Sequence, residues 1–398
     1  MAVRRAETPD PFAGGTEPNQ PVPGVQLTCP PCSRELKPAI RLNYNRNTPI
    51  LGVQHKPDRF LTTDLNHIPE FRPAPWCFNG HVHTIGRSLL TRAGDPYHKR
   101  IEIATPDGDF LDLDIIKAPS RRPVVVLFHG LEGSSKRYYM TELATALAGQ
   151  QYTVIGVNFR GCSGRMNRKP RFYHSGETED LDTVFRWVRE RFPNSPIGAA
   201  GFSLGGNALL KSLGERQGDH PLKAAATVSV PYDLALGARH ISEGFNRIYE
   251  YNFIRTMKQK LKEKRQQFPD LPEFRGQTLY AFDDQVTAPV HGFRDADHYY
   301  ETCSSQRFLQ HIRTPTLLVH SRQDPICPPD MIPVEKIDAN ASLSRLITGQ
   351  GGHVGFWSRP SGWINRTLVN FFAKKFDVEA SETEVTTNKK NKNIPQQW

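Results

Sequence analysis

Three residues spaced along the 398-residue chain have the types needed for nucleophilic catalysis: Ser203, Asp324 and His353. Ser203 lies in Gly201-Phe202-Ser203-Leu204-Gly205, between an apolar run that begins at Ile197 and a helix-forming run that continues through Leu210. A serine on a sharp strand-to-helix turn needs small neighbours on both sides. Gly201 and Gly205 supply them, and the hydroxyl then stands clear at a helix N-terminus that favours developing negative charge. A hydroxyl is a weak nucleophile until a base takes its proton, and an imidazole base works best when an acid orients it. Asp324 follows the apolar run Thr316-Leu317-Leu318-Val319, and His353 follows the alternating run Leu343 to Thr348 and the segment Gly349-Gln350-Gly351-Gly352. Each candidate falls just past the C-terminal end of a predicted strand, the edge at which open α/β sheets gather ligands. Taken singly, Ser203 reads equally as a bystander in a glycine-rich turn, Asp324 as a turn-forming Asp-Pro and His353 as a loop histidine. The order serine, acid, histidine, with all three at strand ends, favours a catalytic triad.

The elements that must position these residues are legible in outline. Arg122 to Phe128 is a continuous apolar run, as expected of a buried parallel strand, and it leads into His129-Gly130-Leu131-Glu132-Gly133. An acyl-transfer site needs one main-chain N–H after the nucleophile and one from the loop after this earlier strand, so Leu204 and Leu131 are the expected oxyanion-hole donors. His129 reads as a loop-shaping residue bonded to backbone rather than a second base. Alternation on both sides of Pro106-Asp107-Gly108 predicts a hairpin over residues 101–116; Tyr138 to Ala148 reads as a crossover helix and Tyr152 to Phe159 as the next strand. Glu177, Glu179, Asp180 and Asp182 read as the acidic start of an amphipathic helix, capped by Ser175 or Thr178. Ala224 to Val230 is a further strand, and residues 231–302 form a long helix-rich insertion before the sheet resumes. The expected fold is α/β, a mostly parallel sheet flanked by helices and carrying a helical cap.

Several segments are long enough to be specific: Phe78-Asn79-Gly80-His81-Val82-His83-Thr84, His129-Gly130-Leu131-Glu132-Gly133, Phe159-Arg160-Gly161-Cys162-Ser163-Gly164, Tyr173-His174-Ser175-Gly176-Glu177-Thr178-Glu179-Asp180, Gly201-Phe202-Ser203-Leu204-Gly205-Gly206-Asn207 and His353-Val354-Gly355-Phe356. Together they resemble the YheT-type branch of the α/β-hydrolases, a group of esterases also related to eukaryotic ABHD-type lipases. The resemblance covers residues from about 70 to 375. It implies an α/β-hydrolase fold, a Ser-Asp-His triad and a carboxylic-ester substrate. One departure is visible: His83 stands where the family's pattern usually has Gln.

Composition bounds the rest. Hydrophobic residues make up 37% of the chain, low enough to suggest a core diluted by polar ends. Residues 1–70 read as a largely disordered, Pro-rich extension, 71–376 as the hydrolase domain with its cap at about 231–302, and 377–398 as a disordered tail. No run approaches the roughly 18 apolar residues of a membrane span, and no signal peptide opens the chain, so a cytoplasmic protein with reduced cysteines is expected. Cys29-Pro30-Pro31-Cys32 reads as two thiols in a flexible segment rather than half a zinc site. No His-Glu-x-x-His pattern occurs, and the triad chemistry calls for no metal and no cofactor. The net charge of +10 comes without clusters of basic and aromatic residues, which argues against nucleic acid. The lysines between Ile254 and Phe268 suit a solvated cap helix, or else weak peripheral contact with an anionic membrane. Phe245, Tyr249, Tyr251, Phe253, Phe293, Tyr299 and Tyr300 could line an acyl pocket or pack a core. The expected partner is a small-molecule or lipid ester: a short- to medium-chain acyl ester, or a monoacylglycerol-like lipid. Two alternatives stay open, an alcohol O-acyltransferase using the same triad and a non-catalytic binding protein. The sequence carries no signal for oligomeric state.

Overall fold

A computed structural model describes residues 69–91, 94–119 and 121–376. The readings of residues 1–68, including Cys29 and Cys32, and of the tail after residue 376 lie outside the described residues.

Eight strands form one sheet in the order β1-β2-β4-β3-β5-β6-β7-β8. They are β1 (Lys99–Ala104), β2 (Phe110–Ile116), β3 (Val124–Phe128), β4 (Thr153–Asn158), β5 (Ile197–Phe202), β6 (Ala224–Val228), β7 (Thr316–Ser321) and β8 (Leu343–Thr348). β2 is antiparallel to both β1 and β4, and every other pairing is parallel. The hairpin around Pro106-Asp107-Gly108 is present, with Ala104 opposite Phe110.

Parallel strands covered on both faces read as unbroken apolar runs, because alternate side chains enter two different cores. β3 illustrates this. Val124, Val126 and Phe128 join one cluster, with Leu181, Val184 and Val188 of α2 (Glu179–Arg191) and Leu209, Leu210 and Leu213 of α3 (Leu204–Arg216). Val125 and Leu127 point the other way, into a cluster with Met140, Leu143 and Leu147 of α1 (Tyr138–Gly149) and Leu368 and Phe372 of the C-terminal helix Trp363–Lys375.

Between β6 and β7 lies the cap: α4 (Leu234–Ile241), the long α5 (Arg247–Gln267), helical turns between Leu279 and Val290, and α6 (Ala296–Cys303). It holds an apolar cluster of its own, formed by Ile254, Leu261, Leu271, Phe282 and Val286. The lysines of α5 depart from the reading of a solvated or membrane-lying face. Lys264 is wholly buried, with its Nζ donating to both the carbonyl and Oδ1 of Asn167 at 2.7 Å. Lys260 is turned inward onto Glu132 at 2.9 Å. The long stems let these cations pack on apolar surface while the charged heads find buried acceptors.

The acids before α2 also act differently from a helix cap. Thr178 occupies the N-cap without a side-chain capping bond. Asp180 instead pairs with buried Arg160 from the loop after β4, and Glu177 with Arg171. A buried guanidinium requires acceptors, and this need outweighs the weak attraction of the helix dipole.

Candidate active site

Ser203 stands between β5 and α3 with φ 52° and ψ −121°. This region is unfavourable for any residue with a side chain and costs about 1–3 kcal/mol, so the surrounding fold must hold it there. The flanking glycines explain how. A Cβ at Gly201 would lie 2.5 Å from the Gly205 carbonyl oxygen, and one at Gly205 would lie 2.5 Å from the His129 carbonyl oxygen. Strand, helix and the neighbouring loop therefore meet at a distance only glycine permits. The Ser203 N–H donates to the Val228 carbonyl at 2.9 Å, fixing the turn to the adjacent strand.

The three distant side chains meet. Ser203 Oγ lies 2.7 Å from His353 Nε2, and His353 Nδ1 lies 2.9 and 3.1 Å from the two oxygens of Asp324. A carboxylate only accepts, so Nδ1 carries the proton and Nε2 is left to accept from the serine hydroxyl. Asp324 Oδ1 also accepts the N–H groups of Ile326 and Cys327, each at 2.9 Å. Burial alone would raise the Asp324 carboxyl. The adjacent His353, with help from His320 and the Cys327 N–H, holds it below the usual carboxylate range. The acid is thus ionised wherever it is needed as an acceptor.

Leu131 and Leu204 flank the serine. Leu204 opens α3, where the first-turn N–H groups have no intrahelical acceptor. Leu131 follows Gly130, and a Cβ at Gly130 would lie only 3.1 Å from Ser203 Cβ. Among the described residues no backbone acceptor takes the Leu131 N–H. His129 has both ring nitrogens engaged: Nδ1 with the Gly130 carbonyl at 2.7 Å and Nε2 with the Phe159 N–H at 3.2 Å. Complete burial lowers it to about 3, so it stays neutral and has no free lone pair to act as a base.

Residues that hold His353 in place were not legible from spacing. Thr84 Oγ1 accepts the His353 N–H at 2.9 Å and donates to the Gly80 carbonyl at 2.7 Å. The Ser229 hydroxyl donates to the His353 carbonyl. His83 is wholly buried, and its Nδ1 accepts the Trp357 N–H at 3.1 Å. Burial and nearby Arg87 lower it to about 4. The turn expected at Asn79 to Thr84 is a helical turn, Val82–Gly86, that packs under the histidine loop. Only the resemblance hinted that this stretch matters.

His174, Glu177 and His291 bring metal-type ligand atoms within 4.8 Å of one another. The Glu177 carboxylate already holds Arg171 at 2.6 Å, and His174 Nδ1 already accepts the Gly176 N–H at 3.2 Å. Asp324, Cys327 and His353 form a second such group, which overlaps the triad itself.

Among the described residues no helix is long and apolar enough to cross a membrane. The sequence profile of the alpha/beta hydrolase fold matches residues 123–360. The chain is 37% identical over 340 residues to "Putative esterase YheT" of Escherichia coli (strain K12), covering 81% of this chain and 99% of that one. It is 30% identical over 331 residues to phospholipase ABHD3 of Bos taurus, covering 79% of this chain and 80% of that one. The solved structure of the Pyrococcus furiosus esterase Pf2001 superposes with a TM-score of 0.50 at 18% identity, over 72% of this chain and 96% of that one, a likeness of fold alone. On its sheet order and these matches, the chain belongs to the α/β-hydrolase family, on the branch that includes YheT and ABHD3.

Proposed function

We propose that the protein hydrolyses carboxylic esters through an acyl-enzyme on Ser203. The observation that carries this reading is the 2.7 Å contact of Ser203 Oγ with His353 Nε2, while Asp324 holds the opposite ring nitrogen. In the first half-reaction the serine oxygen bonds to the acyl carbon as His353 takes its proton. The carbonyl oxygen becomes an anion, held by the Leu131 and Leu204 N–H groups. Collapse breaks the bond to the alkoxy oxygen, and imidazolium returns the proton to the departing alcohol. Water repeats the sequence in reverse roles and frees the acid and the enzyme. Asp324 fixes the imidazole tautomer and stabilises imidazolium without itself becoming protonated.

The substrate class that fits is a short- to medium-chain acyl ester or a monoacylglycerol-like lipid. Esterase and phospholipase names among the relatives support an ester rather than an amide or epoxide. The test is hydrolysis of p-nitrophenyl esters from acetyl to dodecanoyl, with Ser203→Ala as control and fluorophosphonate labelling of Ser203. Turnover lost in Ser203→Ala is the expected result. Equal activity in Ser203→Ala would remove the serine from the mechanism. Ester product dominating at low added alcohol would assign acyl transfer instead.

A further inference from the structure

We propose that the acyl chain enters a small apolar pocket beside Leu131, beneath the cap, and that this pocket restricts the enzyme to esters of acids of about two to four carbons. The inference rests on the hydrolase reading above and adds its substrate class. Leu131, Phe172, Met257, Phe282 and Val286 contribute the apolar lining. None of the seven aromatics singled out from the sequence takes part: Tyr299 and Tyr300 are buried in the cap, and Phe245 and Tyr251 face solvent.

Position makes this the acyl site. Leu131 is one of the two proposed oxyanion donors, and Gly130 before it abuts Ser203. An acyl carbon bonded to Ser203 Oγ, its oxygen on the Leu131 N–H, starts its chain one residue from the pocket. An apolar lining accepts an alkyl chain and disfavours a charged or hydroxylated one.

Size sets the chain length. The pocket offers about 40 Å³ of water-accessible space. A water takes roughly 10–15 Å³ on that measure, so about three atoms beyond the carbonyl carbon fit. The walls resist expansion. Val286 is wholly buried, and Phe282 packs edge-on against Phe274 at 5.0 Å between ring centres. Another wall is the Lys260–Glu132 ion pair, braced by the Tyr173 hydroxyl, which donates to Glu132 Oε1 at 3.2 Å. A wider groove of about 620 Å³ shares that ion pair, but Arg137, Arg165 and Glu263 among its walls make it no continuation for an alkyl chain.

The test compares wild type, Val286→Ala and Met257→Ala on p-nitrophenyl esters of two to twelve carbons, with thermal melting to confirm folding. Alkyl fluorophosphonates of matching chain length read the same pocket by their rate of Ser203 labelling, without turnover. In wild type, kcat/KM should peak at four carbons or fewer and fall about tenfold for each further methylene up to eight. Either variant should move the peak at least two carbons longer, and the labelling rates should follow. A wild-type optimum at eight carbons or more, or a folded variant pair whose profiles match wild type in both assays, overturns the pocket assignment while Ser203-dependent turnover leaves the hydrolase reading intact. Absence of both turnover and Ser203 labelling overturns both.

Discussion

Thr84 and His353 are 269 residues apart in sequence, yet the Thr84 hydroxyl oxygen accepts the His353 main-chain N–H at 2.9 Å. The same hydroxyl donates to Gly80, so a turn preceding the sheet is tied to the loop that carries the proposed base. Thr84→Val keeps the shape and leaves that N–H unsatisfied, at about 1–3 kcal/mol. If the strain is expressed as displacement of the imidazole, kcat/KM should drop about tenfold to a hundredfold with little change in melting temperature, since each 1.36 kcal/mol of barrier is about tenfold. Thr84→Ser should retain activity. Wild-type turnover in Thr84→Val would show that the loop needs no such anchor.

Asp324 accepts from His353 and from two backbone N–H groups. Asp324→Asn replaces an acceptor with an amide that must present one N–H toward those donors, and it no longer selects the required imidazole tautomer. By analogy with other triads, kcat should fall about 10⁴-fold while a residual rate above that of water persists. Steady-state kinetics on a short-chain ester measure this, and a loss below tenfold would remove Asp324 from the triad.

Stability should fall as the pH is lowered from about 6.5 toward 4. Burial lowers His129 and His291 to about 3 and His83 and His220 to about 4, and it holds His174 well below its ordinary value. These rings are neutral when folded and charged when unfolded below about pH 6.5, so unfolding takes up protons there. Glu177 and Asp283 work in the opposite sense, because burial raises them to about 7 and about 6 and they release protons on unfolding. Five uptake sites against two release sites leave about three protons, or about 4 kcal/mol per pH unit near pH 5. Urea midpoints at pH 5.0, 5.5 and 6.0 measure the slope; a flat or inverted dependence contradicts it.

Arg160 is the hub of a buried charge cluster. Its guanidinium contacts Asp180 at 2.6 Å, Asp107 at 2.6 Å and Asp109 at 3.1 Å, and Asp109 and Asp180 are almost wholly buried. Arg160→Met should destabilise the fold by about 3–5 kcal/mol, because the carboxylates are left without their cation. Denaturant unfolding monitored by fluorescence reads this directly. A cost under 1 kcal/mol would mean that water reaches the cluster and replaces the charge.

The sequence carried more of the sheet than of the cap. Strand positions were legible because β3 and its neighbours are buried on both faces, which forces unbroken apolar runs, and because the glycines at 201 and 205 mark a turn too tight for any other residue. The triad was legible as an ordered set of strand-end residues. Its distances, the anchoring of His353 by Thr84 and Ser229, and the pairing of Arg160 with acids expected to cap a helix were decided only by the tertiary fold. Hydrophobic periodicity records which face of an element is buried, but not which distant polar group will satisfy a buried donor or charge. The same limit hid the inward turn of Lys260 and Lys264 and the identity of the pocket walls, which come from segments more than a hundred residues apart.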